Sequence, residues 1–120
     1  MIYTVTLNPS IDFIVRIDQL NLGSVNRMVS DDKFAGGKGI NVSRVLQRLG
    51  VGNTATGFLG GFTGHFIEDS LKNEGIETAF VKVDQDTRIN VKIKSQEETE
   101  INGQGPMISQ EQLEALKAKL

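Results

Sequence analysis

The stretch Ala35-Gly36-Gly37-Lys38-Gly39-Ile40-Asn41-Val42-Ser43-Arg44 sets three glycines and a lysine directly before a helical pattern. A glycine turn lets a ligand approach the backbone closely, and the first free N–H groups of a helix can meet an electronegative atom. The chemistry this suits is the holding of a polar or anionic ligand. Three common glycine motifs do not describe it. A nucleotide-hydrolase phosphate loop needs Ser or Thr after Gly-Lys, and Gly39 stands there. The dinucleotide fingerprint needs glycine at the position of Val42, and the protein-kinase loop fails for the same reason. Taken alone, the glycines read equally well as a tight turn or as a ligand cradle. The other polar candidates also have plain readings. Asp12 suits an Asx-type turn after Pro9, and Asn41 suits a helix N-cap. Arg27, Lys38 and Arg88 read as solvated charges, and Asn90 shares a strand face with Arg88 by period-two spacing. His65, the only histidine, reads as an exposed residue near a helix start.

The elements that must position these residues follow from periodicity. Ile2–Leu7 is β-branched and apolar and predicts a core strand, with Phe13–Ile17 and a weaker Met28–Phe34 as the next two. Val42, Val45, Leu46 and Leu49 fall on one helical face, predicting a helix over Asn41–Leu49 that stops at Gly50. Thr54–Leu59 predicts a buried strand. Thr63 is the expected cap of a helix carrying Phe66, Ile67 and Leu71, and Thr78–Val83 is a further short strand. This alternation argues for an α/β fold with a parallel sheet and crossover helices. Ile89, Val91 and Ile93 alternate with polar residues, and Thr99–Asn102 reads as their hairpin partner. With the second and third strands they form a candidate half-exposed sheet, a lid or interface layer. Ser109 and Gln112 have capping-box spacing ahead of Leu113, Leu116 and Leu120. The pattern ends on an uncapped apolar face, which predicts a fragment of a longer protein.

Composition sets bounds on function. The chain has 120 residues, 38% hydrophobic content and a net charge of −2, with its basic residues scattered. That size fits one small domain or part of a larger one, and the charge argues against nonspecific nucleic-acid binding. There is no cysteine, hence no disulfide framework or thiolate metal site. No apolar run reaches membrane-spanning length, and the N-terminus lacks a signal-peptide pattern. A cytoplasmic protein with no membrane association is the expectation.

Two segments together carry a resemblance: Leu7-Asn8-Pro9-Ser10-Ile11-Asp12 and Gly36-Gly37-Lys38-Gly39-Ile40-Asn41-Val42-Ser43. They resemble the N-terminal half of the ribokinase-like carbohydrate kinases, the PfkB family. Gly57-Phe58-Leu59-Gly60-Gly61-Phe62-Thr63-Gly64, Thr87-Arg88-Ile89-Asn90 and Thr99-Glu100-Ile101-Asn102-Gly103-Gln104-Gly105-Pro106 continue it in order along the chain. The resemblance implies a three-layer α/β/α fold with a small β-sheet lid. Residues 1–120 would be its N-terminal part, with lid strands approximately within 11–35 and 87–102. It implies ATP-dependent phosphorylation of a sugar phosphate. Fructose 1-phosphate going to fructose 1,6-bisphosphate is the first reading and tagatose 6-phosphate the near alternative. A non-catalytic sugar-phosphate-binding or dimerisation fragment is the alternative of another class.

The resemblance also implies roles. Asp12 would accept hydrogen bonds from sugar hydroxyls, Gly36 and Gly37 would admit the sugar to the backbone, and Asn41 would add a bidentate amide. Lys38, Arg88 and Arg27 would hold the sugar's phosphate, with Asn90 beside Arg88 as a further contact. The family's second signature, with its catalytic-base aspartate and most of the ATP and Mg²⁺ site, is absent from these residues, so no catalytic residue is assigned. The implied partners are a small sugar phosphate and a second copy of the chain, joined through the lid as a homodimer.

Overall fold

Apolar strand segments and two crossover helices sort this chain into two sheets. The computed structural model describes residues 1–120. In chain order the elements are β1 (Tyr3–Thr6), β2 (Ser10–Arg16), β3 (Ser30–Gly36), α1 (Lys38–Arg48), β4 (Thr54–Gly60) and α2 (Gly61–Asn73), then β5 (Glu77–Thr78), β6 (Val81–Val83), β7 (Arg88–Lys94), β8 (Glu98–Ile101) and α3 (Gln110–Lys119). The main sheet is parallel: β1 and β5 flank β4, and β6 pairs with the last residues of β4. The second sheet has the order β3-β2-β7-β8. Its β2 runs antiparallel to β3 but parallel to β7, and β8 closes the edge as the antiparallel hairpin partner of β7.

One core ties the two sheets together. Ile11 and Ala35 of the second sheet pack with Ile40, Ala55, Leu59, Ile67, Leu71, Ile76 and Phe80. Each large aliphatic or aromatic side chain buried here contributes about 1.5–3 kcal/mol. A smaller cluster of Phe58, Val81, Val83 and Leu116 holds α3 against β6. Helix α3 carries the full capping box, with Ser109 Oγ accepting from the Gln112 amide and Gln112 Oε1 accepting from the Ser109 amide. No helix is long and apolar enough to cross a membrane.

Several local expectations are corrected. Helix α1 starts at Lys38 rather than Asn41, because Gly37 at φ 143° serves as its N-cap and its carbonyl accepts the Asn41 amide at 2.9 Å. Asn41 is therefore inside the helix. The face bearing Val42, Val45 and Leu49 is exposed, at 51%, 53% and 71%. The helix instead buries Ile40 and Ser43, and Ser43 Oγ lies 2.6 Å from Thr4 Oγ1 of β1. A small hydroxyl at that position lets the helix lie close on the sheet. Thr63 is not a cap; α2 begins at Gly61, and the buried Thr63 hydroxyl donates to the Thr87 carbonyl at 2.7 Å. The strand expected over Thr78–Val83 is broken into β5 and β6 around Phe80, which packs in the core. Strand β2 begins at Ser10 rather than Phe13, so Asp12 is a strand residue and not a turn residue. In α3 only Leu116 of the expected apolar stripe is buried.

Candidate functional site

Successive residues of a strand point to opposite faces, so alternate residues of the second sheet share one, and polar side chains gather on one face at its β2–β7 centre. On β2 this face carries Ser10 and Asp12; Ser10 is opposite Gly36 of β3 and Arg88 of β7, and Asp12 is opposite Asn90. Asp12 is the centre of the resulting network. Its Oδ1 accepts from Ser10 Oγ at 2.7 Å and from Asn90 Nδ2 at 3.5 Å. Asn90 is itself locked, because its Oδ1 accepts the Gly103 amide at 3.0 Å. The Asp12 Oδ2 is left with only a distant cation, Lys92 Nζ at 3.9 Å. A carboxylate oriented through one oxygen and open at the other is an acceptor held ready for O–H or N–H donors.

The glycines before α1 divide their work. A Cβ on Gly36 would sit 2.4 Å from Asp12 Oδ2, so the missing side chain is what leaves room for the carboxylate. A Cβ on Gly37 would meet Thr6 Cγ2 at 2.5 Å, and one on Gly39 would meet the Val5 carbonyl oxygen at 2.7 Å. Those two let the loop lie against the end of β1, where Thr6 Oγ1 is buried without a partner. Replacing Gly36 by Ala is accordingly expected to lower the melting temperature by several degrees, since the carboxylate must leave its hydrogen bonds with Ser10 and Asn90 to make room. It should weaken sugar-phosphate binding about tenfold or more by moving that carboxylate. Calorimetric titration beside a thermal melt checks this, and tight binding in the variant would show that the Asp12 rotamer is immaterial.

Asp12, Gly36 and Asn41 line one open cleft of about 670 Å³ between the second sheet and α1, together with Phe34, Ala35, Arg44, Val45, Arg48 and Glu74. Three predicted site residues thus converge, and Asn90 reaches the cleft through Asp12. Arg88 of β7 lies opposite Ser10, outside the cleft's lining, with its Nη2 donating to the Asn8 carbonyl at 3.1 Å and its Nε buried without a partner. Lys38 is exposed in the first turn of α1, and Arg27 is exposed in the loop between β2 and β3; neither lines the cleft. His65 is exposed near the start of α2. Arg44, Arg48 and Glu74 were not singled out by sequence. Their signal was the spacing of Asn41, Arg44 and Arg48 along one side of the helix. At the far edge of the sheet, Glu98 has its pKa lowered by a hydrogen bond from Lys94, by the Lys94 charge and, more weakly, by Lys92.

Residues 5–120 match the family model described as pfkB family carbohydrate kinase. The chain is 58% identical over 115 residues to 1-phosphofructokinase of Bacillus subtilis, covering 96% of this chain and 38% of that protein. It is 48% identical to D-tagatose-1-phosphate kinase of Bacillus licheniformis, covering 100% of this chain and 40% of that one. Among solved structures, phosphofructokinase-2 from Escherichia coli in complex with fructose-6-phosphate superposes with a TM-score of 0.89 at 29% identity, over 98% of this chain and 40% of that one. The chain therefore spans about two fifths of the length of the relatives it matches.

Proposed function

Since this chain belongs to the pfkB family of carbohydrate kinases, we propose that the whole protein is an ATP-dependent sugar-phosphate kinase that converts fructose 1-phosphate to fructose 1,6-bisphosphate. Residues 1–120 supply the acceptor side. The observation that carries this reading is the convergence of the Asp12 carboxylate, the Gly36 backbone it packs on and the Asn41 amide in one cleft. In it Asp12 accepts from sugar hydroxyls and Asn41 orients the sugar. Arg88, Lys38 and Arg27 receive the sugar's phosphate as charge-assisted donors. Asn90 serves by holding Asp12.

ATP and Mg²⁺ are the cofactors this reading implies. The reading places the nucleotide and its metal ion mainly on the remainder of the protein rather than on these residues. Their contribution to phosphoryl transfer is positioning of the acceptor, which is a large share of catalysis in reactions of this type. The cytoplasm, where ATP and sugar phosphates meet, is the compartment implied.

A steady-state assay of the whole protein with fructose 1-phosphate, tagatose 6-phosphate and tagatose 1-phosphate tests the substrate. The highest kcat/KM is expected for fructose 1-phosphate. A preference for tagatose 6-phosphate would favour the second reading, and one for tagatose 1-phosphate the activity named for the D-tagatose-1-phosphate kinase relative. Absence of turnover on all three would overturn the kinase reading.

A homodimer through the lid is the proposed assembly. Phe13, Val15, Ile89, Val91, Ile93 and Ile101 share the face of the second sheet opposite Asp12, with Ile89 and Ile101 exposed at 41% and 59%. A largely apolar face of this kind, bounded on β3 by Asp31 and Lys33, gains by being covered. Sedimentation velocity of the whole protein should show a dimer, and a monomer at every accessible concentration would count against it.

A further inference from the structure

Asn41 and Arg44 stand three residues apart on α1, and both line the cleft. Arg44 is not a free cation there. Its Nε donates to Glu74 Oε1 at 2.9 Å, its Nη2 to Glu74 Oε2 at 3.2 Å, and its Nη1 to Asn41 Oδ1 at 3.0 Å. The side chain is only 17% exposed, and Glu74 is the C-cap residue of α2, so the pair also pins α1 to the end of α2. A bidentate guanidinium–carboxylate pair is rigid in a way that a lysine could not reproduce.

This arrangement decides which end of the Asn41 amide a ligand meets. A side-chain amide has one acceptor end and one donor end, and rotation by half a turn exchanges them. Arg44 can only donate, so it holds the acceptor end, Oδ1. The donor, Nδ2, has no protein partner. We infer that Arg44, braced by Glu74, is a positioning residue that sets the Asn41 amide so that Nδ2 donates to an oxygen of the bound sugar phosphate. The inference rests on the acceptor-cleft reading above and sharpens it. Asn41 acts as a single donor rather than as a bidentate amide, and Arg44 works through Asn41 without contacting the ligand. Arg48, on the same side of the helix and in no ion pair, is the cation of α1 in the cleft's lining that remains free to meet an anion.

A double-mutant cycle on the whole protein tests this, with KM and kcat for fructose 1-phosphate and a thermal melt for each variant. Asn41→Ala and Arg44→Ala should each raise KM about tenfold, and the double variant should be no worse than Asn41→Ala alone. A merely structural role for Arg44 would lower the melting temperature without that coupling in KM. Multiplied KM effects would overturn the proposal, because they mean that Arg44 meets the substrate independently. Should Arg44→Ala not fold, Asn41→Asp and Glu74→Gln carry the test. Asn41→Asp keeps and strengthens the contact to Arg44 while removing the donor, so KM should rise about tenfold with no loss of thermal stability. A KM equal to that of the unaltered protein in Asn41→Asp would sink the proposal. If the unaltered protein does not saturate with any sugar phosphate, the acceptor-cleft reading falls and this one with it; saturation with multiplied effects removes only the role of Arg44.

Discussion

Asp12→Asn in the whole protein is expected to lower kcat/KM for fructose 1-phosphate by roughly 10- to 100-fold, the loss of one hydrogen bond to a charged group at about 1.5–3 kcal/mol. The substitution is close to isosteric, so the protein scaffold should hardly notice it. The amide oxygen can take the place of Oδ1, keeping the hydrogen bonds from Ser10 and Asn90. What changes is the other atom, because an NH2 group then stands over Gly36 at the cleft where the carboxylate presented Oδ2. A sugar hydroxyl that donated its proton to Oδ2 would meet a donor instead. Asp12→Ala separates the two functions of the residue. It also deprives the Ser10 hydroxyl and the Asn90 amide of their acceptor in a part-buried site, which adds about 1–3 kcal/mol of destabilisation that Asp12→Asn avoids. Melting curves and steady-state kinetics on both variants check the argument. An Asp12→Asn enzyme with unaltered KM and kcat would take Asp12 out of the sugar site.

The parts of this molecule legible in its sequence are those with short-range causes. The strand formed by Ile89, Val91 and Ile93 was readable from its local alternation, although Asn90 is buried and Ile89 exposed against the wet-face expectation, and the capping box at Ser109 and Gln112 was readable because it lies within one turn. The parallel pairing of β2 with β7 joins residues 78 positions apart, Asp12 to Asn90, and no local pattern announces it. The buried face of α1 was misread for a different reason. Its contact with β1 is made by Ile40 and the small polar Ser43, while the apolar Val42, Val45 and Leu49 that define the helical pattern stay exposed. Periodicity reports where apolar residues lie, not which side of a helix a neighbour occupies. The site shows the same division. Asp12, Gly36 and Asn41 came from motifs and do meet, whereas Arg44 acquires its role only from Glu74, thirty residues later on another helix. The three glycines looked alike in sequence and differ in cause: Gly36 leaves space for a carboxylate, while Gly37 and Gly39 leave space for β1.

The largest effect on stability is expected from a glycine remote from the cleft's lining. Gly57 pairs with Thr6 across the parallel β1–β4 ladder and has φ 145°, a conformation that L side chains rarely adopt. A Cβ there would lie 1.9 Å from the Thr6 carbonyl oxygen and 2.8 Å from its carbon. Neither atom can swing aside, because both are backbone held in the β1–β4 ladder. Gly57→Ala must therefore push β1 from β4 or rotate the peptide, and both routes break ladder hydrogen bonds. Overpacking at about 1–3 kcal/mol and an unfavourable φ of similar cost give a loss of about 3 kcal/mol or more. That is a large part of the 5–15 kcal/mol that typically holds a domain together, and it corresponds to a fall in melting temperature of roughly 10 °C or more for a chain of this size. Gly52→Ala is the matched control, since nothing lies within 4 Å of its Cβ position, and it should melt within a few degrees of the unaltered protein. The consequence also reaches the site. Strand β1 runs from Thr6 through Asn8 and Pro9 into Ser10, the first member of the Asp12 network, so whatever Gly57→Ala protein remains folded should bind sugar phosphate more weakly than Gly52→Ala protein. Equal melting temperatures for the two variants would show that the sheet absorbs the added methyl, and that the close approach of β4 to β1 is not what the glycine is for.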